Sequence, residues 1–272
     1  MAAVIVDLAA GEPVCAIGVA APGPLDPARG VILHSPNLGW RDHPFGSGLA
    51  GAVGAPVCLE DDANAGALGE ALHGAGTGHD PVVYLTLSTG VGAGIVVGGG
   101  IVRGAHQAAG EVGHLVVDVA GPRCGCGGAG HVEAFVGGAG LARRAAAAWP
   151  AATLADGSPA PRNAGDVLRL ARAGDPTAVR LADDATEALA RAIAAVSAVL
   201  DPGVIVVGGS LGRGQRALVR RSAARARRLV IPQAGGSLRV VPAALGERSP
   251  LVGAAVLASG LAAAASRKGR HG

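Results

Sequence analysis

The chain has 272 residues, of which 50% are hydrophobic and 16% charged, enough for one large domain or two modest ones. Aromatic residues make up only 2% of the chain and 46 residues are glycine, so small aliphatic side chains must fill the core. The net charge of +3 does not indicate a nucleic-acid binder, because the late arginines, from Arg220 to Arg228, lack interleaved aromatic residues.

The first third of the chain alternates short apolar segments with turns. Val14 to Ala21 is typical of a buried strand and runs into the turn Pro22-Gly23-Pro24. Residues Asp26 to Pro36 predict a hairpin, and Pro56 to Glu60 predict another short strand. Asp62 to Leu72 has the composition of a helix that follows directly on that strand.

The rest of the chain continues the alternation of strands and helices. The glycine-rich residues 88–94 predict a turn between two strands, Val82–Leu87 and Ile95–Val97. Further predicted elements are helices at 141–149, 164–173, 177–200 and 251–265, and strands at 204–207 and 238–241. This order indicates an α/β fold.

Two apolar segments bear on the location of the protein. The segment 251–265 is too short to span a bilayer and predicts a buried helix. Asp7 interrupts the apolar run at the amino terminus, which also lacks the basic residues of a signal peptide. We therefore expect a cytoplasmic protein without a membrane partner.

A potential metal site is the strongest local pattern. His114, Cys124, Cys126 and His131 lie within one glycine-rich segment, and glycines allow such a segment to fold tightly enough for four ligands to converge. Two sulfur and two nitrogen ligands suit tetrahedral Zn²⁺, and four protein ligands would make the metal structural. The alternative is that these are unrelated residues of a loop.

A run of acidic residues, Glu60, Asp61 and Asp62, lies at a strand-to-helix junction. A carboxylate there can accept a proton from a substrate hydroxyl, and a second carboxylate raises the pKa of the pair. The alternative is that Asp61 or Asp62 is only a helix N-cap.

Three further patterns are weaker when taken singly. The glycines of Thr89-Gly90-Val91-Gly92 would allow backbone N–H groups to approach phosphate oxygens, as would Gly208-Gly209 after a buried strand. Neither is a Walker A loop, since no Gly-Lys-Ser/Thr follows. Glu111 and His114 would share one face of a helical turn and could bind sugar hydroxyls.

The order of these motifs resembles the ROK family (repressors, open reading frames and kinases). The resemblance extends from about Val14 to about Leu257. It rests on Asp-Ala-Asn at 62–64, Thr-Gly-Val-Gly-Ala-Gly at 89–94, Ala-Gly-Glu-Val-Gly-His at 109–114, Cys-Gly-Cys-Gly at 124–127, Glu133 and Gly208-Gly209.

The resemblance implies an actin-like ATPase (ribonuclease H-like) fold, with two lobes, a cleft between them and a zinc-bearing loop. We expect a small, incomplete amino-terminal lobe at 1–88, on which a helix at about 250–266 packs, and a large nucleotide- and zinc-binding lobe at 89–249. The implied activity is ATP-dependent phosphorylation of a hexose, with Mg²⁺ bound to ATP. A homodimer or homotetramer is the implied assembly.

The resemblance also implies residue roles. Asp62 corresponds to the catalytic base. Sugar contacts would come from Gly23, Asp61, Glu111, His114 and Glu133. ATP contacts would come from Thr89, Gly90, Gly92, Gly208 and Gly209. A structural Zn²⁺ on His114, Cys124, Cys126 and His131 would fix the sugar-binding loop.

Three features depart from the family pattern. Asp61 stands where Asn is usual, and an ionised Asp cannot donate a hydrogen bond. His131 stands where the last zinc ligand is usually Cys. No Asp-x-Gly-x-Thr motif precedes Val14, so we expect this chain to be a poor kinase unless an upstream extension supplies the motif.

The expected substrate is glucose, followed by N-acetylmannosamine or N-acetylglucosamine, and then fructose. Two other classes remain as alternatives, a transcriptional regulator of the same family and a non-catalytic sugar-binding protein. Asp62 favours a kinase over the regulator, and binding without turnover would identify the non-catalytic protein.

Overall fold

The computed structural model describes residues 1–35, 38–154 and 156–268, so Pro36, at the end of the predicted hairpin, lies outside the described residues. The strands are β1 (Ile17–Ala21), β2 (Leu25–Asp26), β3 (Val31–Ser35), β4 (Trp40–His43), β5 (Val57–Asp61), β6 (Val82–Leu87), β7 (Val91–Val97), β8 (Gly100–Ile101), β9 (Val204–Gly208) and β10 (Val240–Pro242). The helices are α1 (Ala2–Ala9), α2 (Phe45–Val53), α3 (Asp62–His73), α4 (Val132–Val136), α5 (Gly138–Ala148), α6 (Ala164–Arg172), α7 (Pro176–Leu200), α8 (Gly209–Gly214), α9 (Arg216–Ala226), α10 (Pro232–Gly235) and α11 (Ser249–Lys268). Short 3-10 turns lie at Val112–His114 and Gly246–Arg248.

The largest sheet among the described residues has the strand order β10-β9-β6-β7-β8. β6 pairs parallel with β9 and antiparallel with β7. Thr86 lies opposite Gly208, so β6 and β9 end at the same edge of the sheet. The loops that follow both strands therefore meet there.

Helices cover both faces of this sheet. Alternate residues of β6, including Val83 and Leu85, point into the larger core, which is closed by α7 and neighbouring helices. The other residues, Val82 and Tyr84, pack against α3 and α11. This alternation is the period of two expected of a strand buried on both faces.

A second, two-stranded sheet carries the acidic junction. β1 and β5 pair parallel, with Ala21 opposite Asp61. α11 packs against β1, where a β-carbon on Gly18 would lie 1.9 Å from the carbonyl oxygen of Ala254. The antiparallel strands β2, β3 and β4 form a third sheet.

Most predicted elements are present, with one difference that matters for the site. Residues 88–94 are not all turn, because β7 begins at Val91 and contains Gly92 and Gly94. The strand pairing of β6 with β7 requires this extended backbone. The lobe boundary after residue 88 stays a prediction, although β6, which precedes it, pairs with strands that follow it.

The long carboxyl-terminal helix is α11, which includes the predicted segment 251–265. Within the described ranges, no helix combines the length and apolarity that a bilayer crossing requires.

α3 and α11 pack so closely that an added side chain at their contact should destabilise the protein. A β-carbon on Gly253 would lie 1.7 Å from the carbonyl oxygen of Ala65, whereas Gly260, in the same helix, has no atom within 4 Å. Gly253→Ala should lower the free energy of unfolding by about 1–3 kcal/mol or more. Gly260→Ala should be neutral, or stabilising by up to about 1 kcal/mol, because alanine favours helix. Denaturant titration measures both, and equal effects would contradict the packing.

Candidate active site

The acidic junction is formed where β5 ends and α3 begins. Asp61 is the N-cap of α3, and its Oδ1 accepts hydrogen bonds from the backbone N–H groups of Ala63 (2.9 Å) and Asn64 (3.3 Å). Asp62 occupies the first turn of the helix and is half-buried. Asp61, rather than Asp62, therefore takes the capping role that the sequence left open between them.

The environment raises the pKa of both aspartates. Burial, followed by the negative charge of Asp62, raises the pKa of Asp61 to about 6, against the opposing hydrogen bonds from Asn64 and Ala63. Burial also raises the pKa of Asp62. A carboxylate with a raised pKa is a stronger base than an exposed one, which suits proton abstraction near neutral pH.

The segment that carries Glu111 and His114 lies against β7. A β-carbon on Gly113 would lie 2.1 Å from the carbonyl oxygen of Val91, so only glycine permits this approach. α3 contacts the same strand, because a β-carbon on Gly94 would lie 2.3 Å from the carbonyl oxygen of Ala63. The structure thus brings the acidic junction and the 110–114 segment to one strand.

Glu111 is exposed, and its Oε2 lies 3.7 Å from Nε2 of His114. The two residues fall in and beside the 3-10 turn Val112–His114, so they share a face as the sequence predicted.

The four potential metal ligands are brought together. The ligand atoms of His114, Cys124, Cys126 and His131 all lie within 4.8 Å of one another. Sγ of Cys124 lies 3.9 Å from Nδ1 of His114, and Sγ of Cys126 lies 3.2 Å from Nδ1 of His131. The alternative of unrelated loop residues does not fit this geometry, because four side chains from an 18-residue segment converge.

Glu133 connects this group to the turn before β7. Its Oε2 accepts a hydrogen bond from the backbone N–H of Val91 at 3.1 Å, and its Oε1 lies 3.6 Å from Sγ of Cys124. A β-carbon on Gly90 would lie 2.5 Å from Oε2 of Glu133. Glu133, which is half-buried, therefore contacts both the turn at Gly90 and the loop that carries Cys124.

A pocket of about 300 Å³ lies where the ends of β6 and β9 meet. Its lining includes Ser88 and Thr89 after β6, Ser210 after β9, and Asn163 at the start of α6. The hydroxyls of Ser88 and Ser210 are 3.1 Å apart. Backbone groups at the start of α5 also contribute, since the N–H of Ala139 donates to the carbonyl oxygen of Thr89 at 2.9 Å.

The other predicted glycines lie in strands or in the segments that follow them. Gly209 has φ +78°, and a β-carbon there would lie 2.3 Å from the carbonyl oxygen of Leu87. Gly92 faces Ala63 of α3 from within β7. Gly23 has φ +99° in the turn after β1, next to the strand end that pairs with Asp61.

The burial of Glu60 was not predicted. Glu60, at the end of β5, is 1% exposed and forms an ion pair with Arg103. The two residues are 43 positions apart, and no local sequence signal connects them.

A family model named ROK family matches residues 2–260 of the chain. The chain belongs to the ROK family. A glucokinase from Thermotoga maritima is 34% identical over 262 residues, which cover 94% of this chain and 82% of that protein.

Two solved ROK structures give the same result. A ROK hexokinase from Thermus thermophilus is 39% identical, with a TM-score of 0.79 over 90% of this chain and 78% of the other. A ROK family glucokinase from Streptomyces griseus, in complex with glucose and AMPPNP, is 34% identical, with a TM-score of 0.76 over 95% of this chain and 87% of the other. The predicted fold is therefore confirmed as that of ROK kinases, the actin-like ATPase fold.

Proposed function

We propose that this ROK protein transfers the γ-phosphoryl group of ATP to a hydroxyl of a hexose, with glucose as the first candidate. The observation that carries the proposal is the likeness, over 95% of this chain, to a glucokinase crystallised with glucose and AMPPNP. N-acetylmannosamine and N-acetylglucosamine are the next candidates.

We assign the role of general base to Asp62. It is the first residue of α3, immediately after β5, and burial raises its pKa. A base poised nearer to neutral pH can take the hydroxyl proton as the phosphoryl group is transferred. Asp61 is already engaged with two backbone N–H groups, which leaves Asp62 as the better candidate.

We assign sugar contacts to Gly23, Asp61, Glu111, His114 and Glu133. The first two lie at the paired ends of β1 and β5, and the other three lie around the turn before β7. Ionised carboxylates accept hydrogen bonds from sugar hydroxyls, and the backbone at Gly23 allows close approach.

We assign the ATP site to Thr89, Gly90, Gly92, Gly208 and Gly209. Thr89 lines the pocket where β6 and β9 end, Gly90 follows it in the chain, and Gly208 and Gly209 lie at the junction of β9 with α8. ATP would bind as its Mg²⁺ complex, because metal ions neutralise charge on the transferred phosphoryl group. Gly92 faces α3 within β7, so its contribution would be to the position of the turn.

The four-residue group fits a structural zinc ion. In a tetrahedral site with Zn–S of about 2.3 Å and Zn–N of about 2.0–2.1 Å, neighbouring S and N ligands are about 3.5 Å apart. The two Sγ-to-Nδ1 separations, 3.9 Å and 3.2 Å, bracket that value. The ion would supply rigidity to the loop, whose His114 then presents its ring to the sugar site.

We also propose the two-lobe division at residues 1–88 and 89–249, with a helix at about 250–266 packed on the first lobe. The contact of α11 with β1 supports that packing. A homodimer or homotetramer is the proposed assembly.

A substrate panel tests the function. Purified protein with Mg²⁺ and γ-labelled ATP should transfer label to glucose slowly, yet faster than to N-acetylmannosamine, N-acetylglucosamine or fructose. Glucose binding measured by calorimetry without label transfer would contradict the kinase and favour a non-catalytic sugar-binding protein.

Asp62→Asn should abolish most turnover while glucose affinity stays within a few-fold. The base acts during transfer, whereas sugar binding is spread over several contacts, and loss of a general base costs roughly 10²–10⁴ in rate. Asp183→Asn, an exposed substitution on α7, is the matched control and should leave the rate unchanged. Near-normal kcat in Asp62→Asn would show that Asp62 is not the base.

The purified chain should hold about one Zn²⁺, as a closed site of four ligands requires. Cys124→Ala should lose the metal and weaken glucose binding together, because the zinc would order the loop that carries His114. Cys15→Ala, an exposed thiol outside the group, should keep both. Elemental analysis gives the zinc content, and a metal-free wild type purified with zinc present would refute the site.

A further inference from the structure

Glu60 is a charged residue in a nearly solvent-free position. Its side chain is 2% exposed, and Arg103 places two guanidinium nitrogens on one of its oxygens, Nε at 2.8 Å and Nη2 at 2.5 Å from Oε2. Burial of an ionised carboxylate costs free energy unless the charge is paired and hydrogen-bonded, and Arg103 supplies that pairing for Glu60.

The other oxygen of Glu60 organises the acidic junction. Oε1 accepts a hydrogen bond from the backbone N–H of Asp61 at 3.1 Å and another from Nδ2 of Asn64 at 3.0 Å. These two contacts lie on either side of Asp62 in the chain. Glu60 therefore fixes the backbone before Asp62 and a side chain two positions after it.

Arg103 belongs to a short loop that leads to the 110–114 segment. The N–H of Val102 donates to the carbonyl oxygen of Ile95, which fixes the start of the loop to β7. The carbonyl oxygen of Arg103 accepts from the N–H of Ala109 at 3.1 Å, which closes the loop immediately before Gly110. The cation that neutralises Glu60 is thus located at the base of the loop that ends at Glu111.

We propose that Arg103 is a positioning residue that holds the Asp62 turn and the 110–114 segment in one fixed arrangement. The inference rests on the proposed function, because it assigns the base to one of these segments and sugar contacts to the other. Arg103 touches neither substrate in this account and acts through Glu60. A misplacement of about 1 Å in such a site can cost roughly 10²-fold in rate.

Kinetics on four variants test the inference. Arg103→Ala should lower kcat/KM for glucose by about ten- to hundredfold, with KM for ATP within about threefold of wild type. Arg103→Lys should recover part of the loss, since it keeps the charge but not the two-nitrogen contact. Adding Glu60→Gln to Arg103→Ala should also recover activity, because no buried charge is then left unpaired.

The control is Arg221→Ala, which removes an exposed ion pair with Asp183 on α7 and should leave all constants unchanged. If Arg103→Ala lowers thermal stability but keeps wild-type kcat and KM values where it is folded, the role is only structural and the proposal is overturned.

Hydrogen exchange separates this inference from the proposed function. Arg103→Ala should increase amide exchange at both 61–64 and 104–110 relative to Arg221→Ala, whether or not the wild type phosphorylates a sugar. Unchanged amide exchange at either segment would overturn the proposal that Arg103 holds the two segments in one arrangement. A wild type with no turnover would refute the kinase, and the exchange result would still decide whether Arg103 joins the two segments.

Discussion

Three backbone segments, from α3, β7 and the 110–114 segment, approach one another at the candidate site more closely than a β-carbon at the contact points would permit. Gly94 of β7 lies against the first turn of α3, and Gly113 lies against the carbonyl oxygen of Val91 at the start of the same strand. The candidate base and the candidate sugar contacts can converge only because these positions lack side chains. A larger residue at either glycine would displace one segment from the strand by a distance comparable to a bond length, enough to misplace a reacting group.

Three consecutive carboxylates are given different roles by their surroundings. Glu60 is buried and neutralised by Arg103, and Asp61 caps α3. Asp62 is half-buried in the first helical turn, and burial raises its pKa. Separation of roles by environment allows one residue of an acidic run to act as a base while its neighbours hold the backbone around it.

The sequence predicts the parts of this arrangement that are local. Strands β6 and β9, helices α3 and α7, and the convergence of four metal ligands follow from apolar runs and from spacing within a glycine-rich segment. The contacts of Glu60 with Arg103 and of Val91 with Glu133 could not be predicted, because each joins residues more than 40 positions apart. Gly92 and Gly94 were assigned to a turn because glycine is typical of turns, but here close packing of α3 on β7 requires them.

A crystal structure with glucose and a non-hydrolysable ATP analogue would show whether the two segments bind one sugar. Glucose should lie between the Asp62 turn and the 110–114 segment, with one sugar hydroxyl within hydrogen-bond distance of the Asp62 carboxylate and in line with the terminal phosphate. Glu111 or His114 should contact the same sugar. Glucose bound elsewhere, or bound by only one of the two segments, would show that the two segments do not form one site.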